Sequence, residues 1–345
     1  MFYCGLDVAV KSSYFYITDA RGTKLAAGPI VNDPVVFAKI FKPYLRDGLA
    51  LALEAGSQSA WLHDALVQLG VHVTVVNPTK VKLIAESRRK TDKIDARLLC
   101  ELLRLDGLPH PVHVPDVETR AVRGLLAARR QLVIARVKLM NVVRGMLRQE
   151  GIHLPCKAFN SLVGWQRLLA REYQHPHLHP ILAAYFESFQ ALTRSLKALD
   201  QQLAERERKD ARVARLKTMP KVGRIAALTF VALVDDVRRF PSSRKLVGYS
   251  GLAPTVRSSG ERTAYGPISR EGRAELRAVW GQIAHQVARD TGRATAPLRK
   301  WFSRVAYRRG KKTALVALTR KLLTIAYRLL WDESVYDARR VQRAA

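Results

Sequence analysis

Four acidic residues stand at positions from which their carboxylates could act together. Asp7 interrupts an apolar opening segment, and Glu54 directly follows the apolar run Leu49–Leu53. Asp92 and Asp95 lie three residues apart in the segment KTDKIDAR, so a helix would present both on one face, with Cβ atoms about 5–6 Å apart. A carboxylate in an apolar strand is costly unless it is paired or metal-bound, which favours a functional role for Asp7.

Carboxylates brought to one point repel one another, and a divalent cation relieves that repulsion. Oxygen-only ligands suit Mg²⁺ or Mn²⁺. Such an ion polarises a phosphoryl oxygen and stabilises the attacking and leaving oxygens of a phosphodiester reaction. The four acids therefore predict metal-dependent phosphodiester chemistry. Taken alone, Asp92 and Asp95 fit better the acidic residues that stabilise a helix N terminus.

The charge balance points to a polyanionic partner. The 345 residues include 59 Lys and Arg against 29 Asp and Glu, a net charge of +30. Net charge informs association rather than topology, and nucleic acid is the first candidate partner. Residues 257–345 hold 20 of the basic and only 7 of the acidic residues. One short stretch, interleaved with aromatic residues, predicts phosphate binding by Arg299, Lys300, Arg304, Arg308, Arg309, Lys311 and Lys312.

Three regions follow one another along the chain. Residues 1–110 alternate strand and helix patterns, typical of an α/β domain with a mixed sheet. Its predicted strands are Phe2–Val8, Tyr14–Thr18, Leu49–Leu53 and Val71–Val76, and its predicted helices Pro34–Leu45, Ala60–Leu69 and Ile94–Leu105. Residues 117–208 repeat apolar residues in heptads, which predicts a coiled coil whose partner is the same chain, a second copy or both. An irregular insert covers about 151–180, and residues 210–345 are basic and mainly helical.

Other features narrow the class of protein. The longest apolar run is shorter than the roughly 20 residues that span a bilayer, and no secretory signal pattern opens the chain. The 3 cysteines are widely spaced, which fits a reducing cytoplasm. His175, His177 and His179 alternate in a proline-rich segment. With no fixed scaffold or acidic partner evident, the segment is expected to be a solvated loop rather than a metal site.

Several motifs together resemble one family. The chain resembles the DEDD transposases of the insertion-sequence-110 family in six segments. In the first half these are GLDVAVKS, LEAGS, VNPTKVK and KTDKIDARLLCELL. In the second half they are LKTMPKVGRIAALTFVALV and RRFPSSRKLVGYSGLAPTVRSSGERTAYGPISREGRAELR. These enzymes are also called bridge recombinases, and the Piv-type DNA invertases are their relatives. The resemblance implies a RuvC-like, ribonuclease-H-type N-terminal domain, a central coiled coil and a mainly helical C-terminal transposase domain with a serine nucleophile.

The resemblance also implies residue roles and partners. Asp7, Glu54, Asp92 and Asp95 take the four acid positions, and Ser259 takes the nucleophile position, with Ser258 as the alternative. The implied intermediate is a serine–DNA phosphodiester. The implied partners are the double-stranded DNA of the element ends and target, a structured guide RNA, and further copies of the chain in a dimer or tetramer. In tetramers of the family, acids and serine of one site come from different subunits.

The surroundings of the serine can be interpreted without the resemblance. LAPTVRSSGERTAYG is small, polar and bracketed by glycine, which predicts an exposed loop that binds phosphate. Arg257, Arg262 and Arg270 could hold a scissile phosphate there and stabilise its extra charge.

The expected function is therefore DNA strand breakage and rejoining by a transposase or recombinase. Three alternatives stay open: a junction-resolving nuclease that uses the acids alone, a DNA invertase, and a non-catalytic nucleic-acid-binding protein.

Overall fold

The computed structural model describes residues 1–84, 91–173, 175–259 and 262–339, without the side chains of Arg257, Ser259 and Arg262. The chain divides into two compact units, Met1–Pro115 and Asp116–Ala345. The finer division into residues 117–208 and 210–345 stays a prediction.

The first unit is built on a five-stranded sheet of order β3-β2-β1-β4-β5. Strands β1, β4 and β5 are parallel, whereas β2 runs antiparallel to both β1 and β3. The strands are β1 Phe2–Asp7, β2 Ser12–Thr18, β3 Lys24–Val31, β4 Leu49–Glu54 and β5 His72–Val76, and the helices are α1 Pro34–Leu45, α2 Ser59–Gln68, α3 Pro78–Ile84 and α4 Asp92–Arg104.

Helices cover both faces of this sheet. On one face, Leu6 and Leu53 join a core with Phe37 and Phe41 of α1 and Leu62 of α2. On the other face, Leu99 and Cys100 of α4 lie in two smaller clusters with Ala52, Val76 and Tyr16. The sheet is therefore the middle layer of three, as expected for a parallel core buried on both sides.

The expected α/β pattern is confirmed as a mixed sheet with helices, and α1 has the predicted bounds. Strand β3 and helix α3 are not among the predicted elements. Strand β3 contains Gly28 and Pro29, which weaken a strand pattern and are tolerated here because β3 is an edge strand. Helix α3 begins at Pro78, a residue that is favourable at the first helical position although the prediction treated it as the end of a strand.

The second unit opens with two long helices, α5 Val117–Gln149 and α7 Leu178–Lys209, which pack side by side. Leu182, Phe189, Leu196 and Leu203 are buried at seven-residue intervals along α7. Arg129 of α5 donates to Asp200 of α7 at 2.6 Å. The heptad side chains of α7 therefore have a partner within the same chain, which is one of the alternatives that the sequence left open.

Most of the irregular insert packs into this unit, as far as the structure describes it. Helix α6, Leu162–Leu169, buries Trp165 and Leu168 in one cluster with Met140 of α5 and Phe189 of α7. Glu150, the residue that follows α5, lies 3.4 Å from His175 and 3.6 Å from His177 through its two carboxylate oxygens. The expectation that the histidines lack an acidic partner was wrong, because the helical hairpin brings Glu150 back to them.

The rest of the second unit is a helical bundle around a large core. Its helices are α8 Ala211–Lys217, α9 Arg224–Val234, α10 Ser243–Tyr249, α11 Ala274–Arg289, α12 Ala296–Arg309 and α13 Lys311–Trp331, with a two-stranded hairpin of β6 Pro254–Ser259 and β7 Arg262–Ile268. Nearly all of α9 is buried, and it packs with Trp280 of α11 and Leu322 of α13. In the described part of the chain, no helix is long and apolar enough to cross a membrane.

Candidate active site and nucleic-acid interface

Asp7 and Glu54 are the last residues of two neighbouring parallel strands. Strands β1 and β4 pair with Leu6 opposite Leu53, so the next residues of both strands, Asp7 and Glu54, stand side by side at one edge of the sheet. Neighbouring strands lie about 4.8 Å apart. Both acidic residues are half-buried. The register thus brings two of the four predicted acids together.

The start of α4 lies over the same edge. The Cys100 thiol donates to the carbonyl of Tyr3 at 3.2 Å. One turn earlier, the carbonyl of Ala96 lies above Gly5, where a Cβ atom would come within 1.9 Å of it. Helix α4 therefore runs antiparallel to β1, and its first turn, which carries Asp92 and Asp95, lies over the end of β1 where Asp7 stands.

Strand alternation places the two strand-end acids on the face that α4 covers. Gly5 and Ala52 lie on that face, since Gly5 meets Ala96 and Ala52 packs with Leu99. Asp7 and Glu54 are two residues further along their strands and so belong to the same face. Asp95 is half-buried and Asp92 exposed, and Thr91 caps the helix by accepting from the backbone N–H of Ile94.

The donor set is all carboxylate, and this chemistry fits Mg²⁺ or Mn²⁺. Its backbone placement also fits, because the three elements reach one edge of the sheet. Across the described residues, however, no three His, Cys, Asp or Glu side chains are grouped closely enough to hold a metal ion. The fold brings β1, β4 and the start of α4 together, but it does not gather their carboxylate side chains around one point.

Ser259 ends strand β6 at the tip of the hairpin. Its backbone pairs with Arg262 of β7, and the side chains of Ser259, Arg257 and Arg262 lie outside the described part of the structure. Ser258 is exposed and its hydroxyl lies 3.1 Å from that of Thr263. The predicted exposed loop is thus an exposed β-hairpin, whose arms contain Thr255 and Val256 on one side and Thr263 and Tyr265 on the other, residue types that favour strands.

The base of the hairpin is held tightly. Gly251 and Gly272 adopt φ of +71° and +140°, and a Cβ atom on Gly272 would lie 2.3 Å from the carbonyl of Tyr249. The backbone N–H of Arg273 donates to that carbonyl at 2.9 Å, and its side chain donates to the Tyr249 hydroxyl at 2.9 Å. Arg270, the third arginine predicted to hold phosphate, is exposed at this base with φ of +60°.

The predicted basic cluster falls on α12 and the start of α13. Gly310, with φ of +80°, separates the two helices. The exposed members of the cluster are Lys300, Arg304, Arg308, Arg309, Lys311 and Lys312. Arg299 instead donates to the carbonyl of Asp290 and is half-buried, which gives it a structural contact in addition to its charge.

Aromatic residues in this stretch divide between core and surface. Trp301 and Phe302 pack against the core of the second unit. Tyr307 is 95% exposed. The sequence could not separate them, since all three stand in the same basic stretch, and of the three only Tyr307 is fully exposed.

Two features that position the site were not singled out from the sequence. Gly5 gives α4 its close approach to β1, and the Tyr249–Arg273 pair fixes the hairpin base. The signal for Gly5 was present as a glycine inside a strand pattern, which often marks a close approach of another backbone. The Tyr249–Arg273 contact joins residues 24 positions apart and left no local signal.

Comparison with known proteins agrees with this arrangement. The DEDD transposase model of the IS110 family matches residues 4–152, and a second model, described as "Transposase IS116/IS110/IS902 family", matches residues 213–298. A "Probable family 20 transposase" of Pseudomonas aeruginosa is 29% identical over 83% of this chain and 85% of its own length. The "Transposase for insertion sequence element IS1111A" of Coxiella burnetii is 26% identical over 85% of this chain and 80% of its own.

These matches show that the chain is a DNA transposase, an enzyme that breaks and rejoins DNA strands, and the mixed α/β unit with acids at its strand ends is consistent with that class. The chain belongs to the IS110 family of insertion-sequence transposases.

Proposed function

We propose that this transposase moves its own insertion sequence by using two sets of residues. Asp7, Glu54, Asp92 and Asp95 hold Mg²⁺ or Mn²⁺ in a RuvC-like, ribonuclease-H-type domain, and Ser259 is the nucleophile. One observation supports the acid set most directly: β1 and β4 end side by side in acidic residues, beneath the acidic first turn of α4.

The proposed reaction has two balanced steps. In the first, the Ser259 hydroxyl loses its proton to a base and its oxygen attacks the scissile phosphorus. A serine–phosphate bond forms, the bond to one DNA oxygen breaks, and that strand end leaves as a hydroxyl after taking up a proton. In the second, a strand hydroxyl attacks the serine–phosphate bond, which restores the DNA phosphodiester and the serine.

The protein's own charges assist this reaction. A divalent cation, when bound, polarises the phosphoryl oxygen. Arg257, Arg262 and Arg270, on and beside the hairpin, hold the scissile phosphate and stabilise its added negative charge through charge-assisted hydrogen bonds. A hairpin held firmly at Gly251 and Gly272 suits this role, because a nucleophile must be held in a near-attack position.

The proposal extends to guidance and assembly. A structured guide RNA pairs with donor and target DNA, and the excess of 59 basic over 29 acidic residues provides charge for two nucleic acids. The chain assembles as a dimer or tetramer. Support comes from α5, where Ile134, Val137 and Val142 are 49%, 44% and 45% exposed along one groove. Exposed apolar patches of this kind commonly mark protein–protein contacts.

A covalent-adduct assay tests the serine. Ser259→Ala is expected to abolish protein–DNA adducts, measured by denaturing gel electrophoresis of labelled element-end DNA, while DNA affinity is retained. Ser258→Ala is the matched control, because it removes the same kind of hydroxyl group from the neighbouring residue. It should keep the adduct, since Ser259 remains as the nucleophile. Adducts that persist in Ser259→Ala and vanish in Ser258→Ala would move the role to Ser258. Cleaved DNA without any adduct in the unaltered protein would favour hydrolysis by the acids alone.

A further inference from the structure

A basic groove lies between α10, α12 and α13, beside the predicted basic cluster of α12 and the start of α13. It has a volume of about 380 Å³ and is lined by Ser243, Arg244, Val247, Trp301, Ala317, Arg320, Lys321 and Thr324. Three of these residues are cationic and two carry hydroxyl groups. Such a lining offers charge and hydrogen-bond donors to an anion.

Lys321 is held in position within the groove. Its ammonium lies 4.9 Å from the centre of the Trp301 ring, a cation–π contact between α13 and α12. Burial, and then the charge of Arg304, lowers the pKa of Lys321 below its ordinary value. Crowded cations of this kind are stabilised when an anion enters among them.

The cations of this groove differ from others in the same unit. Lys221 pairs with Asp290 at 2.9 Å, Arg215 with Glu333 at 2.9 Å and Arg212 with Asp210 at 2.8 Å. By contrast, the residues that line the groove in the described structure include no carboxylate. Arg244, Arg320 and Lys321 therefore keep their charge for an external partner.

We propose that this groove binds a backbone phosphate of the DNA, with Arg244, Arg320 and Lys321 as its ligands. The inference rests on the function proposed above and adds an anchoring site formed by α10, α12 and α13, outside the hairpin. DNA is the source of phosphate that a transposase must hold during strand exchange. The site binds the DNA backbone without contacting base edges. It therefore contributes to DNA affinity and to the position of the DNA on the protein rather than to sequence preference.

The test measures binding of the full chain to an element-end duplex by fluorescence anisotropy across a salt series, in EDTA. Lys321→Gln is expected to weaken binding on the order of tenfold, as for loss of a hydrogen bond to a charged group. It should also lower the steepness of log affinity against log salt by about 0.9, the value for one phosphate contact. Arg328→Gln is the matched control, since Arg328 is exposed on the same helix outside the groove.

Two further variants sharpen the result. Lys321→Arg keeps the positive charge and should retain most of the affinity. Arg320→Gln combined with Lys321→Gln should weaken binding by less than the product of the single effects, because both residues contact one phosphate.

Three outcomes would overturn the inference: unchanged binding in Lys321→Gln, an equal loss in Arg328→Gln, or a loss confined to an RNA of the same sequence. Because the assay needs no cleavage, its result is independent of whether Ser259 forms an adduct. Failure of the groove and failure of the serine mechanism are thus told apart.

Discussion

At the scale of single residues, the acids are distinguished by how firmly the backbone fixes them. Asp7 and Glu54 are set by strand register and stand side by side whatever their side chains do. Asp92 and Asp95 depend on where α4 begins, and Thr91 fixes that point as the N-cap. As members of a first helical turn, these two acids would also stabilise the helix without any metal. Asp7 is therefore the sharper probe of the proposed site.

Asp7→Asn is expected to abolish strand cleavage and adduct formation while DNA binding persists. The substitution keeps the shape of the side chain and removes the negative charge that a divalent cation needs. The measurement is product yield against Mg²⁺ concentration, with Mn²⁺ in a parallel series. Asp47→Asn is the control, because Asp47 is an exposed acid ahead of β4 at the opposite end of that strand.

Full activity in Asp7→Asn, or activity of the unaltered protein in EDTA, would contradict the metal site. Loss of folding is checked by thermal unfolding, which should change little for a half-buried, isosteric replacement.

At the scale of elements, the contact between β1 and α4 determines the arrangement of the site. The backbone of α4 comes so close to Gly5 that a Cβ atom there would lie 1.9 Å from the Ala96 carbonyl and 2.5 Å from the Cys100 nitrogen. Both atoms belong to helix backbone and cannot turn aside. A side chain at this position would displace the whole helix, and with it Asp92 and Asp95.

Gly5→Ala is expected to destabilise the protein by about 1–3 kcal/mol or more and to reduce cleavage beyond the loss of folded protein. Gly28→Ala is the matched control in the same sheet, since its Cβ atom would meet only Phe15 at an ordinary 3.8 Å. Thermal unfolding and cleavage at a temperature where both variants are folded measure the two effects. Equal behaviour of the two variants would show that α4 tolerates displacement.

Much of this arrangement could be predicted from local pattern. The apolar runs that become β1, β4 and β5 and the heptads of α7 follow hydrophobic periodicity, which is the strongest signal in a single sequence. The edge strand β3 and strand β7 of the hairpin were not predicted, because each contains a Gly-Pro pair that weakens a strand pattern. The return of Glu150 to His175 depends instead on the closing of a long helical hairpin.

Part of the candidate site could likewise be predicted from the sequence, and part could not. The acid positions were accessible to sequence because each terminates an apolar segment or begins a helix. The cations at Arg320 and Lys321 were not singled out, since they are spaced among the buried leucines of α13 and their grouping with Arg244 appears only in the folded bundle.

At the scale of the whole molecule, the net charge of +30 predicts steep dependence of DNA binding on salt. The combined variant Arg308→Gln, Arg309→Gln, Lys311→Gln and Lys312→Gln is expected to lower the magnitude of the log–log salt slope by up to about 3–4, at about 0.9 for each phosphate contact. Binding at different salt concentrations, measured by anisotropy with duplex DNA, gives the slope.

The control removes the same charge from α7, at the exposed residues Arg194, Lys197, Arg208 and Lys209. If both combined variants lower the slope equally, general charge rather than the α12–α13 corner governs binding.

Gly310 determines the shape of that corner. Without a residue able to adopt φ of +80°, residues 296–331 would tend to continue as a single rod, about 54 Å long at 1.5 Å per residue. Folded back at Gly310, the two helices instead bring Lys321 over Trp301 and concentrate Arg308, Arg309, Lys311 and Lys312 at one bend. A rod would spread these positive charges along its length, whereas the bend concentrates them, so that DNA bound there would meet them within one short stretch of its backbone.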